Sequence, residues 1–477
     1  MIAGDGITNT SSTVQNFVTA AGDTADTTGL ITFQGNSTIV GPVTFTNQPA
    51  LVDLGPAGST QFVDQANAGG ASFYNYPSQT PDQEGPAGTT VFSDQASAGT
   101  ATFTNYGNFP VSFFPAYTSF NGSSTADHAT FINLGTGVAS GGKTYFNDSA
   151  TAANATFINS DGAGVQFSGL GVSAGNSVSI NNGATVAGDT VNGGQTTFYN
   201  FADAGTATLI ANGGSNGGKG GNISFSFGAT GPNATIMLYG NGTLTPPPVI
   251  GSLEGDGIVV LHDSTAIGNN NKDTTFGGSI QQFDPLDFFG SVEKVGSGTL
   301  TLTGASSYRG GTTVSAGALI VDNQTGSATG RGRVTVAGGI LGGTGAISGP
   351  TAIGIGDGGG ATLEPRLGKK GGVPLAFGSL VFFKADSTYI YDLDAKRAGF
   401  AAQKVTIDNR AQFVARTRSM SIPPVGTVYT AIKNNGHLPI EGTFADLPDG
   451  GTVVLNGINL QTNYAGGDGN DLTLTVE

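Results

Sequence analysis

Short runs of alternating apolar and polar residues recur along the first half of the chain, and phenylalanine marks them. Phe33, Phe45, Phe62, Phe73, Phe92, Phe103, Phe120, Phe131, Phe146 and Phe157 fall in pairs, 12 apart in the first pair and 11 apart in the other four. Successive pairs return every 26 to 30 residues. The unit reads TQFVDQANAGGASFYN (60–75), TVFSDQASAGTATFTN (90–105), TSFNGSSTADHATFIN (118–133) and TYFNDSATAANATFIN (144–159); ITFQGNSTIVGPVTFTN (31–47) fits with one extra residue, and the copies decay at 165–181 and 196–212.

A period of this length describes one coil that cannot bury its apolar face alone and must stack on its neighbours. Side chains alternate in and out along each strand, so equivalent Phe residues of successive coils stack about 4.8 Å apart and form a packed core. Asn47, Asn75, Asn105, Asn133 and Asn159 stand two residues after the second Phe, which predicts an amide ladder closing a corner. The steps Ala98-Gly99, Ala126-Asp127 and Ala153-Asn154 predict the tight turn between the two strands of a coil. The 15 to 19 residues left in each unit vary in length and composition and predict a side of variable loops, such as YPSQTPDQEGPAGT at 76–89.

Composition agrees with an all-β chain. Of 477 residues 80 are Gly, without a three-residue period; charged residues are only 11%, and 29 are Phe. The absence of Cys excludes a disulfide framework, a thiol nucleophile and a Cys-based zinc site. A net charge of −15 argues against nucleic acid as a partner. The charge is uneven: residues 1–250 hold thirteen acids and only Lys143 and Lys219 as bases, whereas from Arg366 onward eleven bases face ten acids. The start MIAGDGITNTSS lacks the pattern of a signal peptide and no run is long enough for a membrane helix, so either a mature chain whose export signal has been removed or, in preference, a fragment beginning inside the array is expected.

From about residue 288 the chain resembles a known bacterial family. FGSVEKVGSGTLTLTGASSYRGGTTVSAGALIVDN (289–323) resembles the autotransporter-associated β-strand repeat, with its G-x-G-T-L-T-L-T-G run followed by Tyr308, Gly310 and Gly311; VTVAGGILGGTGAISGP (334–350) continues similarly. The tail 441–477 resembles the end of the same passenger-like proteins. The resemblance implies a right-handed parallel β-helix (β-solenoid) exported to the cell surface or the medium; it implies no particular activity. The expected organisation is an N-terminal edge or irregular cap at 1–30, Phe/Asn-ladder repeats at 31–287, the autotransporter-associated repeat at 288–364 and a passenger-like β-solenoid tail at 365–477. Residues 441–477 do not read as an amphipathic β-barrel, so outer-membrane anchoring by these residues themselves is not expected.

The search for chemistry assigns no catalytic, cofactor-binding or metal-ligating residue. His128, His262 and His437 lie far apart, and His128 occupies a turn position where neighbouring units carry Thr100 or Ala155. Asp64, Asp94 and Asp148 recur two residues after the first Phe and read as corner residues; as a pair on adjacent coils they are the carboxylates a glycoside hydrolase would need. GGDGNDLTL (466–474) matches a single calcium β-roll nonapeptide with Asp471 as its side-chain ligand, and reads more simply as a turn into the last strand. Lys369, Lys370, Lys384, Lys396, Arg397, Lys404, Arg410, Arg416 and Arg418 are interspersed with acids and read as a mixed, solvated surface. Tyr76, Tyr106 and Tyr117 of the variable arms are candidates to stack on sugar rings. The expected function is a non-catalytic, secreted or cell-surface structural and adhesive stalk; a carbohydrate-active β-helix enzyme and a calcium-dependent surface or biofilm-matrix protein are the alternatives. Surface glycans or other cell-surface proteins are the expected partners, with end-to-end or lateral self-association open to a stack with unpaired edges.

Overall fold

In a computed structural model the chain is described for all residues except 21–28, 51–54, 79–84, 108–113, 137–140, 189, 285–289, 366–373, 396–397 and 418–422. It divides into two units, Met1–Gly251 and Ser252–Glu477. Among the described residues the only helical element is a single 3-10 turn at Leu393–Ala395, and the rest of the regular structure is β. Both units are parallel β-solenoids.

One coil of the first unit shows why the repeat folds as it does. Strand Ser59–Phe62 sends Thr60 and Phe62 inward; strand Ser72–Asn75 sends Phe73 and Asn75 inward; all four are fully buried. Between them the chain turns twice. Asp64 (φ 59°) and Gly69 (φ 59°) take the left-handed conformation, and Asn67 bridges to Ser97 of the next coil. The inside of these corners has room only for small side chains, and Ala66, Ala68 and Ala71 fill it without residual exposure. The register of the second turn differs by one residue from the expected Ala153-Asn154 step: Ala152-Ala153 is the equivalent of Ala98-Gly99, with Ala153 itself at φ 48°. His128 is therefore the counterpart of Thr100 and Asn154, not of Ala155.

Stacking is in register. Phe33, Phe62, Phe92, Phe120, Phe146, Phe167, Phe198 and Phe225 form one column with ring centroids 4.6 to 4.8 Å apart and nearly parallel planes. Phe45, Phe73, Phe103, Phe131 and Phe157 form the second, 4.7 to 5.0 Å apart, and meet the first column edge to face at 5.7 to 5.8 Å. Offset-stacked and edge-on rings each contribute about 0.5–1.5 kcal/mol beyond the area they bury. The column extends into the segment expected as an N-terminal edge: Gln15–Thr19 pairs with Val43–Asn47, and Phe17 stacks on Phe45 at 5.1 Å.

The asparagines form the expected ladder, inside the wall. Asn47, Asn75, Asn105, Asn133 and Asn159 each donate from Nδ2 to Oδ1 of the next Asn at 2.6 to 2.8 Å, ending on Asn181. Each of four of these Oδ1 atoms also accepts from a threonine of the opposite strand: Thr60 on Asn47, Thr90 on Asn75, Thr118 on Asn105 and Thr144 on Asn133, at 2.8 to 3.0 Å. Thr19 begins the ladder by donating to Asn47 at 2.6 Å. It stops where Ala211 replaces Asn in register with Asn181, whose Nδ2 is buried without a hydrogen-bond partner.

The second unit uses aliphatic columns. Leu300, Leu319, Leu341, Leu363, Tyr389 and Phe413 succeed one another in register, so this column passes from leucine to aromatic rings toward the C-terminal end. Tyr308 is fully buried with its hydroxyl 2.6 Å from Thr312 Oγ1. Gly311 sits at φ 100°, where a Cβ would lie 2.7 Å from the Arg333 carbonyl, so the Tyr-x-Gly-Gly pattern has a steric cause. The parallel stack ends at Val428–Asn434, which pairs antiparallel with Asp471–Val476; that strand pairs antiparallel with Ile458–Gly466. Reversing direction covers the last parallel edge.

An unexpected residue lies in this unit's core. Lys294 occupies the column of Ile267, Val314, Val336 and Ile353, is 1% exposed, and donates its ammonium protons to the carbonyls of Val295, Gly296 and Ala316 at 2.7, 3.0 and 3.2 Å. Burial lowers its pKa to about 8, against the opposing pull of Asp273.

Two predictions follow from the wall and one from the lysine. Asn105→Ala removes the acceptor of Asn75 and the donor to Asn133 and is expected to cost about 2–4 kcal/mol in urea unfolding. Ser124→Ala is expected to gain about 1 kcal/mol, because Ser124 occupies the place of Ala96 and Ala150 and its buried hydroxyl has no partner. The unfolded chain keeps the Lys294 proton up to the ordinary value of 10.5 while the folded chain releases it from about 8, so in that window the unfolded state binds more protons and stability rises with pH. Urea midpoints between pH 8 and 10 check this: the native protein gains more than Lys294→Met.

Candidate binding groove

The variable arms end in a groove on the outer side of the first-unit wall. Its floor is made by outward-facing positions of successive strands, Thr89 of Thr89–Phe92, Tyr117 of Tyr117–Phe120 and Tyr145 of Lys143–Phe146. Thr89 and Tyr117 are partners in register, while Tyr145 belongs to the neighbouring outward column with Ser119. The walls come from the arms that lead into these strands: Ala57, Pro86 and Ala87, and Phe114 with Pro115. The groove has a volume of about 440 Å³, within the range of small-molecule clefts.

Its described surface is aromatic and carries no charged side chain. The Tyr117 and Tyr145 rings meet edge to face at 5.6 Å with planes 73° apart, and Phe114 stands 46% exposed on the wall. Burial raises the pKa of Tyr117, and burial followed by the neighbouring Tyr117 raises that of Tyr145, so both phenols are neutral hydroxyls at physiological pH. Lys143, in register with Tyr117, turns its ammonium to the Gly162 carbonyl at 3.1 Å, and burial lowers its pKa to about 8. Tyr76 and Tyr106 stack on each other at 4.9 Å and line none of this groove. Of the three arm tyrosines singled out in the sequence, Tyr117 alone lies here. Tyr145 was missed, although an aromatic at the outward position directly before Phe146, where other coils carry Gln61, Val91 and Ser119, was a readable signal.

A wider groove of about 850 Å³ lies on the second unit, lined by Thr275, Thr299, Thr301, Thr303, Asp322 and Gln324 among others. It offers hydroxyls without aromatic rings.

The remaining candidates go elsewhere. Asp64 and Asp94 sit at φ 59° and 57° and Asp148 at φ 58°. Their carboxylates accept backbone N–H groups of the preceding coil: Gly35 to Asp64 at 2.9 Å, Asp64 to Asp94 at 3.1 Å and Gly122 to Asp148 at 2.8 Å. They act as corner staples. His128 is exposed and lies 2.6 Å from Asp127; His262 stacks on Phe283; His437 is exposed on the second unit. Asp471 is 2% exposed, accepting the Asn434 N–H at 2.9 Å on Oδ1 and the Lys433 ammonium at 3.0 Å on Oδ2. Lys433 also meets Asp468 at 3.0 Å; these two bonds raise the lysine pKa, and the lysine lowers that of Asp468. Of the C-terminal bases, Lys404 pairs with Glu441 at 3.0 Å, Arg410 with Asp408 at 3.7 Å and Arg416 with the buried Glu364, while Lys384 covers the Phe382 ring. Lys369, Lys370, Lys396, Arg397 and Arg418 lie outside the described residues.

The parallel solenoid carries a repeat that resembles those of autotransporter passenger proteins. Residues 292–321 match the passenger-associated-transport-repeat family, covering Lys294, Tyr308 and Gly311. Over 112 residues the chain is 38% identical to the adhesin BmaC autotransporter of Brucella suis biovar 1 (strain 1330). That alignment takes in 23% of this chain and 3% of the relative, so the chain spans a small part of that protein's length.

The occupied carboxylate of Asp471 predicts that millimolar Ca²⁺ and a chelator give the same melting temperature. A calcium-dependent rise would show that Asp471 exchanges Lys433 for the metal.

Proposed function

We propose that this chain is a structural and adhesive stalk displayed on the surface of a bacterium or released from it, and that it is not an enzyme. The observation that carries this reading is the division of labour in the wall: stacked Phe and Asn columns occupy the inside, while the outward strand positions and the arms vary and together form the exposed aromatic groove. Function on a repeat scaffold resides where the repeats differ. The passenger-associated repeat at 292–321 and the likeness to an autotransporter adhesin support surface display and adhesion. Among the described residues no helix is long and apolar enough to cross a membrane. Against a hydrolase reading, the carboxylates that recur on adjacent coils are engaged by backbone N–H groups at the corners.

Beads coated with the folded chain are expected to be retained on glycan- or cell-coated surfaces above beads carrying heat-unfolded chain, with no release of reducing ends. Equal retention of the two would refute adhesion by the folded stalk. Sugar cleavage lost in Asp64→Asn or Asp94→Asn would replace it with an enzymatic function.

A further inference from the structure

We propose that the groove between Tyr117, Tyr145 and Phe114 is a binding site for uncharged oligosaccharide, an inference that rests on the adhesive reading above and names its ligand class. A sugar ring presents an apolar C–H face and a rim of hydroxyls. The groove supplies the matching pair: three aromatic rings, with the hydroxyls of Tyr117 and Tyr145 beside them and that of Thr89, which donates to Ser59 Oγ at 3.0 Å, left to accept. Pro86 and Pro115 stiffen the rims, and the floor is held by the parallel strand ladder, so little ordering is needed on binding.

Charge selects within the sugars. Among the described residues no ionised side chain lines the groove, and residues 1–250 contain thirteen acids, no Arg and only two Lys. The nearer base, Lys143, gives its ammonium to Gly162 rather than to the groove. A uronate or sialylated chain would find no counter-charge here and would meet the repulsion of an acidic unit. A neutral glycan loses nothing on either count. A groove lined by aromatic rings and proline also suits an extended proline-rich peptide, and the experiment separates the two.

The test uses the whole chain and isothermal titration with laminarihexaose, maltohexaose, mannohexaose and chitotetraose as neutral probes, and oligogalacturonate and hyaluronan fragments as acidic ones. At least one neutral probe is expected to bind, and Tyr117→Ala and Tyr145→Ala to weaken it at least 10-fold at unchanged melting temperature. Tyr145→Phe, which keeps the ring, is expected to retain more affinity than Tyr145→Ala, and Tyr76→Ala to bind as the native protein does. The inference is overturned if no neutral probe binds, if acidic probes bind better, if a proline-rich peptide binds where the sugars do not, or if neutral binding survives both alanine variants. Bead retention separates the two readings. Bead retention by a native chain that binds no neutral probe removes the groove and leaves the stalk adhesive, whereas sugar binding without bead retention keeps the groove and removes adhesion.

Discussion

Everything in this protein follows from the distance between neighbouring parallel strands. At about 4.8 Å that distance matches the centroid spacing of offset-stacked aromatic rings and the repeat of a ladder in which each side-chain amide bonds the next. A side chain able to bond to a copy of itself at that spacing can therefore be repeated coil after coil. Phe and Asn both can, and the first unit uses one of each on the strand Ser72–Asn75 and its equivalents. The wall needs few charges because its polar interior is satisfied by identical neighbours: an Asn column cross-bonded to a Thr column leaves no buried amide alone until Asn181.

The same constraint explains the exceptions. Where Ser179 takes the place of Phe in register with Phe157, its hydroxyl is taken into the ladder, accepting from Asn159 at 3.2 Å and lying 2.7 Å from Thr196. The hydroxyls of Ser37, Ser124 and Ser177 lie at corner positions filled elsewhere by Ala, where the lumen is too narrow to supply a partner. In the second unit the columns turn aliphatic, and Lys294 stands among them because three turn carbonyls converge on its ammonium. Outward positions carry no such restriction, since their neighbours are solvent and the arms. There the sequence is free to place Tyr145 on one coil and Val91 two coils earlier.

Legibility in the sequence follows the same line. Positions constrained by axial repetition were readable: the Phe and Asn columns, the corners at Ala98-Gly99 and Ala126-Asp127 and the Tyr308–Gly311 repeat stand in the structure where periodicity or resemblance put them. The exact corner at Ala152-Ala153 was misplaced by one residue, because alanine in a left-handed turn is unusual and Asn154 beside it is the better turn former. Phe17 was passed over because it stands alone, without the partner that made the other pairs visible. The groove was only partly readable. Tyr117 drew notice as an arm aromatic, but its meeting with Tyr145 depends on two adjacent coils and on arms of unequal length, which no period encodes. Lys294 gave no signal, since the backbone carbonyls that hold it have no side-chain signature.

The central claim is that identical side chains on successive coils stabilise one another directly. A double-mutant cycle between Asn75→Ala and Asn105→Ala, set against the non-adjacent pair Asn75→Ala and Asn133→Ala, measures this in urea unfolding. The account predicts a coupling of about 0.5–3 kcal/mol for the adjacent pair and a smaller one for the separated pair. Additivity within about 0.3–0.5 kcal/mol for both pairs would contradict it.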